Sequence, residues 1–339
     1  MSTSARTPPQ PVELPAIFAG FAPAGPGHKM GPVEKRGRSV VKRREALGMF
    51  AAAAGALSTG WPARGQQAGG ALPKIVRKGR IKQGLWRSNF GADTKLTFDD
   101  QCREAARLGA YGFDLIDPAD WPTLRKHGLE PLLAGAGPVT FENGIIHPEV
   151  HTQLGKDIRP HIDMCADAGV RTIITIGGQR RGMDYAQGAD NAVAFLNSVK
   201  GHLEDRNVTL AIEIMNNRRT DPRFGREDQI FGHWAWGVGV CERVNSPNVK
   251  LVCDLYHLQI MDGDIAENVR QSIQWIAHFH TAGVPTRNEI DFSQEMNYRY
   301  IAEVIADLPF SGYVSHEWRP TPGRDPLRSL AEALDIMDV

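Results

Sequence analysis

A chain of 339 residues with 42% hydrophobic and 23% charged residues has the balance of a globular protein, long enough for one large domain or two small ones. Lys+Arg and Asp+Glu each number 39, but basic residues outnumber acidic ones by six in residues 1–70 and are outnumbered by six in the remainder. An acidic body argues against nucleic acid as a partner, because gripping a phosphate backbone needs clustered positive charge.

The N-terminal segment carries the basic excess. Residues 1–40 are rich in Pro, Gly and Ala and are expected to be a disordered arm. Lys42-Arg43-Arg44-Glu45 then precedes the apolar stretch Ala46 to Leu57, which matches the charged and hydrophobic regions of a cleavable signal. It falls short of the roughly 20 residues a membrane span needs. The paired arginines predict twin-arginine export and hence a periplasmic location. Lys42 stands where Ser or Thr is usual, Ala46 where Phe is usual, and no clean Ala-x-Ala cleavage site follows. The alternative is a basic arm with an Ala-rich helix, and then a cytoplasmic protein. The chain accordingly divides into residues 1–70, arm and signal, and residues 71–339, the folded domain. Cys102, Cys165, Cys241 and Cys253 show no CxxC spacing and are expected to be free, buried thiols.

From residue 80 the sequence alternates strand-like and helix-like segments. Predicted strands are Ile81–Trp86, Tyr111–Ile116, Leu129–Ala134, Arg171–Ile176, Val208–Ile214, Val249–Leu255, Ile276–His280 and Gly312–Glu317. Predicted helices are Asp99–Leu108, Gly155–Ala168, Asn191–Glu204, Ala266–Gln274 and Tyr298–Asp307, with Thr97 and Asp190 as N-caps. Strand starts recur every 33 residues on average, against roughly 31 in a (β/α)8 barrel. An open doubly wound sheet would need a Gly-rich phosphate turn after an early strand, and none is present. The expected fold is α/β, a single (β/α)8 TIM barrel.

Four apolar runs end on a polar residue: Val-Thr-Leu-Ala-Ile-Glu213, Val-Lys-Leu-Val-Cys-Asp254, Ile-Ala-His-Phe-His280 and Gly-Tyr-Val-Ser-His-Glu317. A barrel gathers such strand ends at one face. Three carboxylates buried together are costly without a cation, so these four residues are expected to hold one divalent ion. Mixed oxygen and imidazole donors suit Mn2+ first, with Mg2+, Co2+ or Zn2+ as alternatives. His257, three residues after Asp254, could hydrogen-bond a substrate oxygen. Arg287 could grip a carboxylate or hydroxyl. Asn216 and Asn217 could line the same mouth, and Arg180 and Arg181 could meet an anion.

Ile-Glu213-Ile-Met-Asn216, Cys-Asp254-Leu-Tyr-His257-Leu-Gln259, His-Phe-His280-Thr-Ala-Gly-Val-Pro-Thr-Arg287, Glu295-Met-Asn-Tyr298 and His316-Glu317-Trp-Arg-Pro320 resemble the hydroxypyruvate isomerase branch of the xylose isomerase-like barrels. The resemblance spans roughly residues 80–325 and is most specific from 208 onward. It implies that Glu213, Asp254, His280 and Glu317 bind one divalent ion and that Glu213 and Glu317 also move protons. His257 and Arg287 would bind substrate oxygens. The implied reaction is isomerisation of a small hydroxy-ketone or sugar through an enediolate, or epimerisation beside a ketone. Alternatives are a lyase or hydrolase acting on 3-keto-glycosides, and a metal- or sugar-binding protein without turnover. A repair endonuclease would want three zinc ions, many histidines and a basic groove. The charged, aromatic insert Thr220–Trp236 departs from the branch and is expected to cover the site or bind a sugar ring, with Trp234 and Trp236 either stacking on that ring or packing a helix. A homo-oligomer is left open.

Overall fold

The computed structural model describes residues 74–138, 140–218 and 228–339. The predicted arm and export signal therefore lie outside the described residues. Among the described residues, no helix is long and apolar enough to cross a membrane.

Eight strands close into a parallel barrel in sequence order, with β8 returning to pair with β1. They are β1 (Lys82–Leu85), β2 (Gly112–Asp114), β3 (Glu130–Gly135), β4 (Thr172–Thr175), β5 (Thr209–Glu213), β6 (Val249–Asp254), β7 (Ile276–Thr281) and β8 (Tyr313–His316). Each coincides with a predicted run, β3 and β7 overrunning theirs by one residue and β2 ending two residues before its run does. The helices between them are α1 (Phe98–Leu108), α2 (Trp121–Lys126), α3 (Pro148–Asp167), α4 (Tyr185–Arg206), α5 (Trp234–Val244), α6 (Leu255–Met261), α7 (Ile265–Ser272), α8 (Tyr298–Ala306) and α9 (Pro326–Ile336).

Helix starts follow local capping chemistry. Thr97 accepts from the Asp100 amide while the Asp100 carboxylate accepts from the Thr97 amide, a reciprocal cap that starts α1 as expected. Asp184, not Asp190, caps α4 by accepting from the Gln187 amide. Pro148 opens α3 seven residues before the predicted start, its fixed φ suiting a first helical position. Four helices, α2, α5, α6 and α9, had no predicted counterpart. In α5 the aromatic residues serve packing. Trp234 is buried and donates from Nε1 to Ser272 Oγ, and Trp236 donates to the Tyr185 carbonyl while meeting Phe231 edge-on. Both side chains of this pair are thus engaged in packing.

Two apolar layers result. The larger one fills the space between strands and helices and contains outward residues such as Phe113, Leu210, Ile212, Leu251, Cys253 and Phe279. The smaller one plugs the barrel interior with Leu133, Ile174, Ala211 and Val252. All four cysteines are free and buried, as expected.

Close strand approach is set by glycine at two inward or pairing positions. A Cβ on Gly84 would lie 2.2 Å from Ser315 Oγ and 2.5 Å from Leu132 Cδ1. A Cβ on Gly112 would lie 1.8 Å from the Glu130 carbonyl oxygen, which is backbone and cannot swing away. Gly112→Ala is therefore expected to cost about 3 kcal/mol or more, measured by denaturant unfolding. Gly201→Ala in α4, where nothing lies within 4 Å, is the matched control and is expected to be neutral or stabilising by up to about 1 kcal/mol.

Candidate metal centre

Side chains alternate between faces along a strand, so a residue two positions beyond an interior one is also interior. Ala211 and Val252 belong to the interior plug, which puts Glu213 on β5 and Asp254 on β6 in the barrel lumen at the C-terminal strand ends. On β7, His278 and His280 share the lumen face while Phe279 faces the helices. On β8, Ser315 faces inward and His316 outward, where it meets Thr281 and Gln83. Glu317, one residue past the strand, returns to the inward side.

Glu213, Asp254, His280 and Glu317 each offer a donor atom within 4.8 Å of the others. His280 Nδ1 lies 3.3 Å from Glu213 Oε1 and 2.9 Å from Glu317 Oε2. Asp254 divides its oxygens between two tasks. Oδ1 caps α6 by accepting from the Tyr256 amide at 2.8 Å, while Oδ2 faces the cluster. The side chains of Asp254 and His280 are completely buried, whereas Glu213 and Glu317 are 11% and 10% exposed. The two glutamates are thus the clustered acids that an incoming molecule can reach.

Electrostatics inside the cluster favour a cation. Burial, reinforced by Glu317 and Glu213, pushes the Asp254 carboxyl up to about 7 even though Arg287 pulls it down. Burial works against a charged His280, but the Glu317 charge and the bonds to Asp114, Glu213 and Glu317 hold its pKa well above the usual imidazole range. Burial likewise opposes the Arg287 charge, yet Glu317, Asp254 and Glu213 hold it raised. Asp254 attracts a proton because Arg287 alone does not offset its burial beside two further carboxylates. A divalent ion among these oxygens and Nδ1 supplies the missing charge, so the donor set fits one.

The predicted substrate residues fall into two groups. Arg287, His257 and Asn216 adjoin the cluster. Arg287 contacts Glu317, approaches Asp254 Oδ2 at 3.4 Å and His257 Nε2 at 3.3 Å, and has its ring-stacking partner in Tyr256. Its backbone is left-handed at φ 60°, a conformation that costs a side-chain-bearing residue roughly 1 kcal/mol and is held by bonds to Gly283 and Arg319. His257 is fully buried on the first turn of α6, where Nδ1 accepts from the Asn216 amide at 3.1 Å and faces Asn216 Nδ2 at 2.7 Å. The other three are engaged elsewhere. Asn217 clamps Gln229 through both its amide atoms, Arg180 pairs with Asp228 at 3.0 Å, and Arg181 donates to Asn143 and to the Glu142 carbonyl. A cavity of about 510 Å³ is lined by Arg218, Gln259, Ile260, Val284 and Glu295. It borders the stretches that carry His257 and Arg287 but includes none of the four clustered residues.

Residue-level reading of the sequence missed a second cluster. Asp114, His278 and His280 also bring donor atoms within 4.8 Å. Asp114 Oδ2 lies 2.8 Å from His278 Nε2 and 3.1 Å from His280 Nε2. Burial raises the Asp114 pKa, but the His278 charge and the bonds from both rings outweigh it and hold it below the carboxylate range. Trp86, just after β1, meets His280 edge-on at 5.6 Å. The signals were a carboxylate inside the apolar run Tyr-Gly-Phe-Asp114-Leu-Ile and a histidine two positions before His280.

Over 117 residues the chain is 38% identical to 2-oxo-tetronate isomerase of Cupriavidus necator, which covers 34% of this chain and 42% of that protein. The match thus spans less than half the length of that curated relative. A longer alignment, 25% identical over 253 residues, joins 68% of this chain to 89% of a human protein provisionally named hydroxypyruvate isomerase. Among solved structures, one titled AP endonuclease, family 2, from Brucella melitensis superposes with a TM-score of 0.64 at 23% identity, covering 74% of this chain and 97% of that one. The family described as "Xylose isomerase-like TIM barrel" matches residues 102–338, most of the chain. With its closed eight-stranded barrel and that match, the chain belongs to the xylose isomerase-like TIM-barrel family.

Proposed function

We propose that this protein is a divalent-metal-dependent isomerase of a small hydroxy-ketone or sugar, acting through an enediolate. The observation that carries the reading is the convergence of Glu213, Asp254, His280 and Glu317, with the two glutamates as the reachable members. The names of the relatives, 2-oxo-tetronate isomerase and hydroxypyruvate isomerase, support the reaction class and suggest an oxidised three- or four-carbon acid as substrate.

In this reading Glu213, Asp254 and Glu317 through carboxylate oxygens and His280 through Nδ1 hold the ion, with Mn2+ the first choice. When bound, it supplies Lewis-acid polarisation of a ketone and its neighbouring hydroxyl. One glutamate takes the proton from the carbon beside the ketone, and the same or the other glutamate returns a proton at the adjacent carbon. Arg287, fixed by Asp254, Glu317 and Tyr256, turns a guanidinium toward the same space and binds a substrate oxygen or carboxylate. His257, held by Asn216 at Nδ1, sets its Nε2 beside Arg287 Nη1 and Asp254 Oδ2, each at 3.3 Å, and from there meets a substrate oxygen.

A second reading is epimerisation, which is supported by a 24% identity over 259 residues to D-psicose 3-epimerase of Agrobacterium fabrum, joining 70% of this chain to 84% of that protein. Epimerisation returns the proton to the carbon it left, whereas isomerisation delivers it to the neighbour.

Both reactions exchange a carbon-bound proton. The protein is to be incubated in deuterated water with Mn2+ and, separately, hydroxypyruvate, ketoses and 3-keto-glycosides, with products followed by NMR. Solvent deuterium at the carbon next to a ketone, with conversion of hydroxypyruvate or another small keto acid, is the expected result. Exchange without positional change would replace isomerase with epimerase, and no exchange in any substrate would remove the catalytic reading. The predicted export to the periplasm remains part of the proposal.

A further inference from the structure

His280 belongs to both buried clusters, one through each ring nitrogen. A neutral imidazole has one lone pair and one N–H, so it can ligate a metal through only one nitrogen. Serving two ions at once would demand loss of both protons. If Nδ1, which faces Glu213 and Glu317, is the ligand, Nε2 must keep its proton, and the oxygen placed to accept it is Asp114 Oδ2 at 3.1 Å.

We propose that Asp114 is a positioning residue for the metal centre: by accepting the Nε2 proton of His280 it fixes the tautomer and ring angle that turn Nδ1 toward the ion. This inference rests on the metal-centre reading above. Asp114 reaches His280 from the far side of the lumen, since β2 and β7 are not neighbours in the barrel. Its carboxylate is itself anchored. His278 Nε2 sits 2.8 Å from the same oxygen and 3.1 Å from Ser315 Oγ, and Gly84 leaves the room that Ser315 occupies. Trp86 closes a face of the His280 environment edge-on. Asp114, His278, His280 and Ser315 are all buried, so solvent does not compete for these bonds. Carboxylate partners of ligating histidines set ring orientation and ligand basicity, and their loss typically weakens metal binding 10- to 100-fold.

The test is Mn2+ titration of the purified full chain, read by electron paramagnetic resonance of free Mn2+, on wild type and Asp114→Asn. Circular dichroism accompanies it to verify the fold. Asparagine offers an acceptor without the charge, and the expected result is a folded variant with Mn2+ affinity reduced 10- to 100-fold. Unchanged affinity in Asp114→Asn, with wild-type binding intact, overturns the proposal and spares the metal centre. No binding by the wild type overturns the metal centre and the proposal with it. Two ions per wild-type chain would also overturn the proposal, by making Asp114 a ligand. Should the variant fail to fold, 15N NMR of wild type loaded with diamagnetic Mg2+ decides the question. A protonated Nε2 on His280 is expected there, and a protonated Nδ1 contradicts the proposal.

Discussion

Replacing Glu213 or Glu317 with glutamine is expected to lower turnover about 1,000-fold or more while the barrel stays folded. Glutamine keeps the size of the side chain and removes both its charge and its capacity to carry a proton. General acid–base contributions alone are typically about 10²- to 10⁴-fold, and here the same side chain is also a proposed metal ligand. Fold retention follows from the electrostatics. Glu213 is one of three acids packed against one another, and its charge is among those that push the Asp254 pKa up, so neutralising it relieves repulsion. Glu317 differs, because glutamine there gives up the ion pair with Arg287. The Glu317→Gln protein is accordingly expected to be the less stable of the two. Steady-state kinetics on the converted substrate and thermal unfolding of both variants check these statements, and near wild-type kcat in either variant removes it from the proton-carrying role.

Stripping divalent ions with a chelator is expected to abolish activity reversibly and to lower the melting temperature by several degrees. A ligand that binds only the folded state stabilises it by about 2.7 kcal/mol at one hundred times its Kd. In a domain of this size each kcal/mol moves Tm by roughly 2–4 °C. The cause lies in Asp254, sealed from solvent and driven up to about 7 with Arg287 as its balancing cation. Restoring Mn2+ should recover both activity and Tm. Activity that survives exhaustive chelation would separate the chemistry from metal.

The fold and the four-residue cluster were readable because both rest on period-two patterning. Each of the four runs puts its last polar side chain on the lumen face of a parallel strand, and barrel closure does the rest. Glu317 lies one residue beyond β8, yet strand parity still carries it inward. What stayed hidden depends on contacts across the ring. Nothing local to Tyr-Gly-Phe-Asp114 says that its carboxylate meets residues 164 and 166 positions later. Arg180, Arg181 and Asn217, whose loop positions looked suited to a ligand, have other loop residues as their partners. Helix α5 was missed because its apolar, Gly- and Trp-containing sequence lacks the polar face that marks an amphipathic helix.

The proposed chemistry depends on one ion shared by Glu213, Asp254, His280 and Glu317. The most direct measurement is elemental analysis of protein equilibrated with Mn2+ and freed of excess, for wild type, Asp254→Asn and His280→Gln. One ion per wild-type chain and none retained by either variant is the expected result. A wild type that holds no ion, or variants that hold it as firmly, would contradict the centre described here.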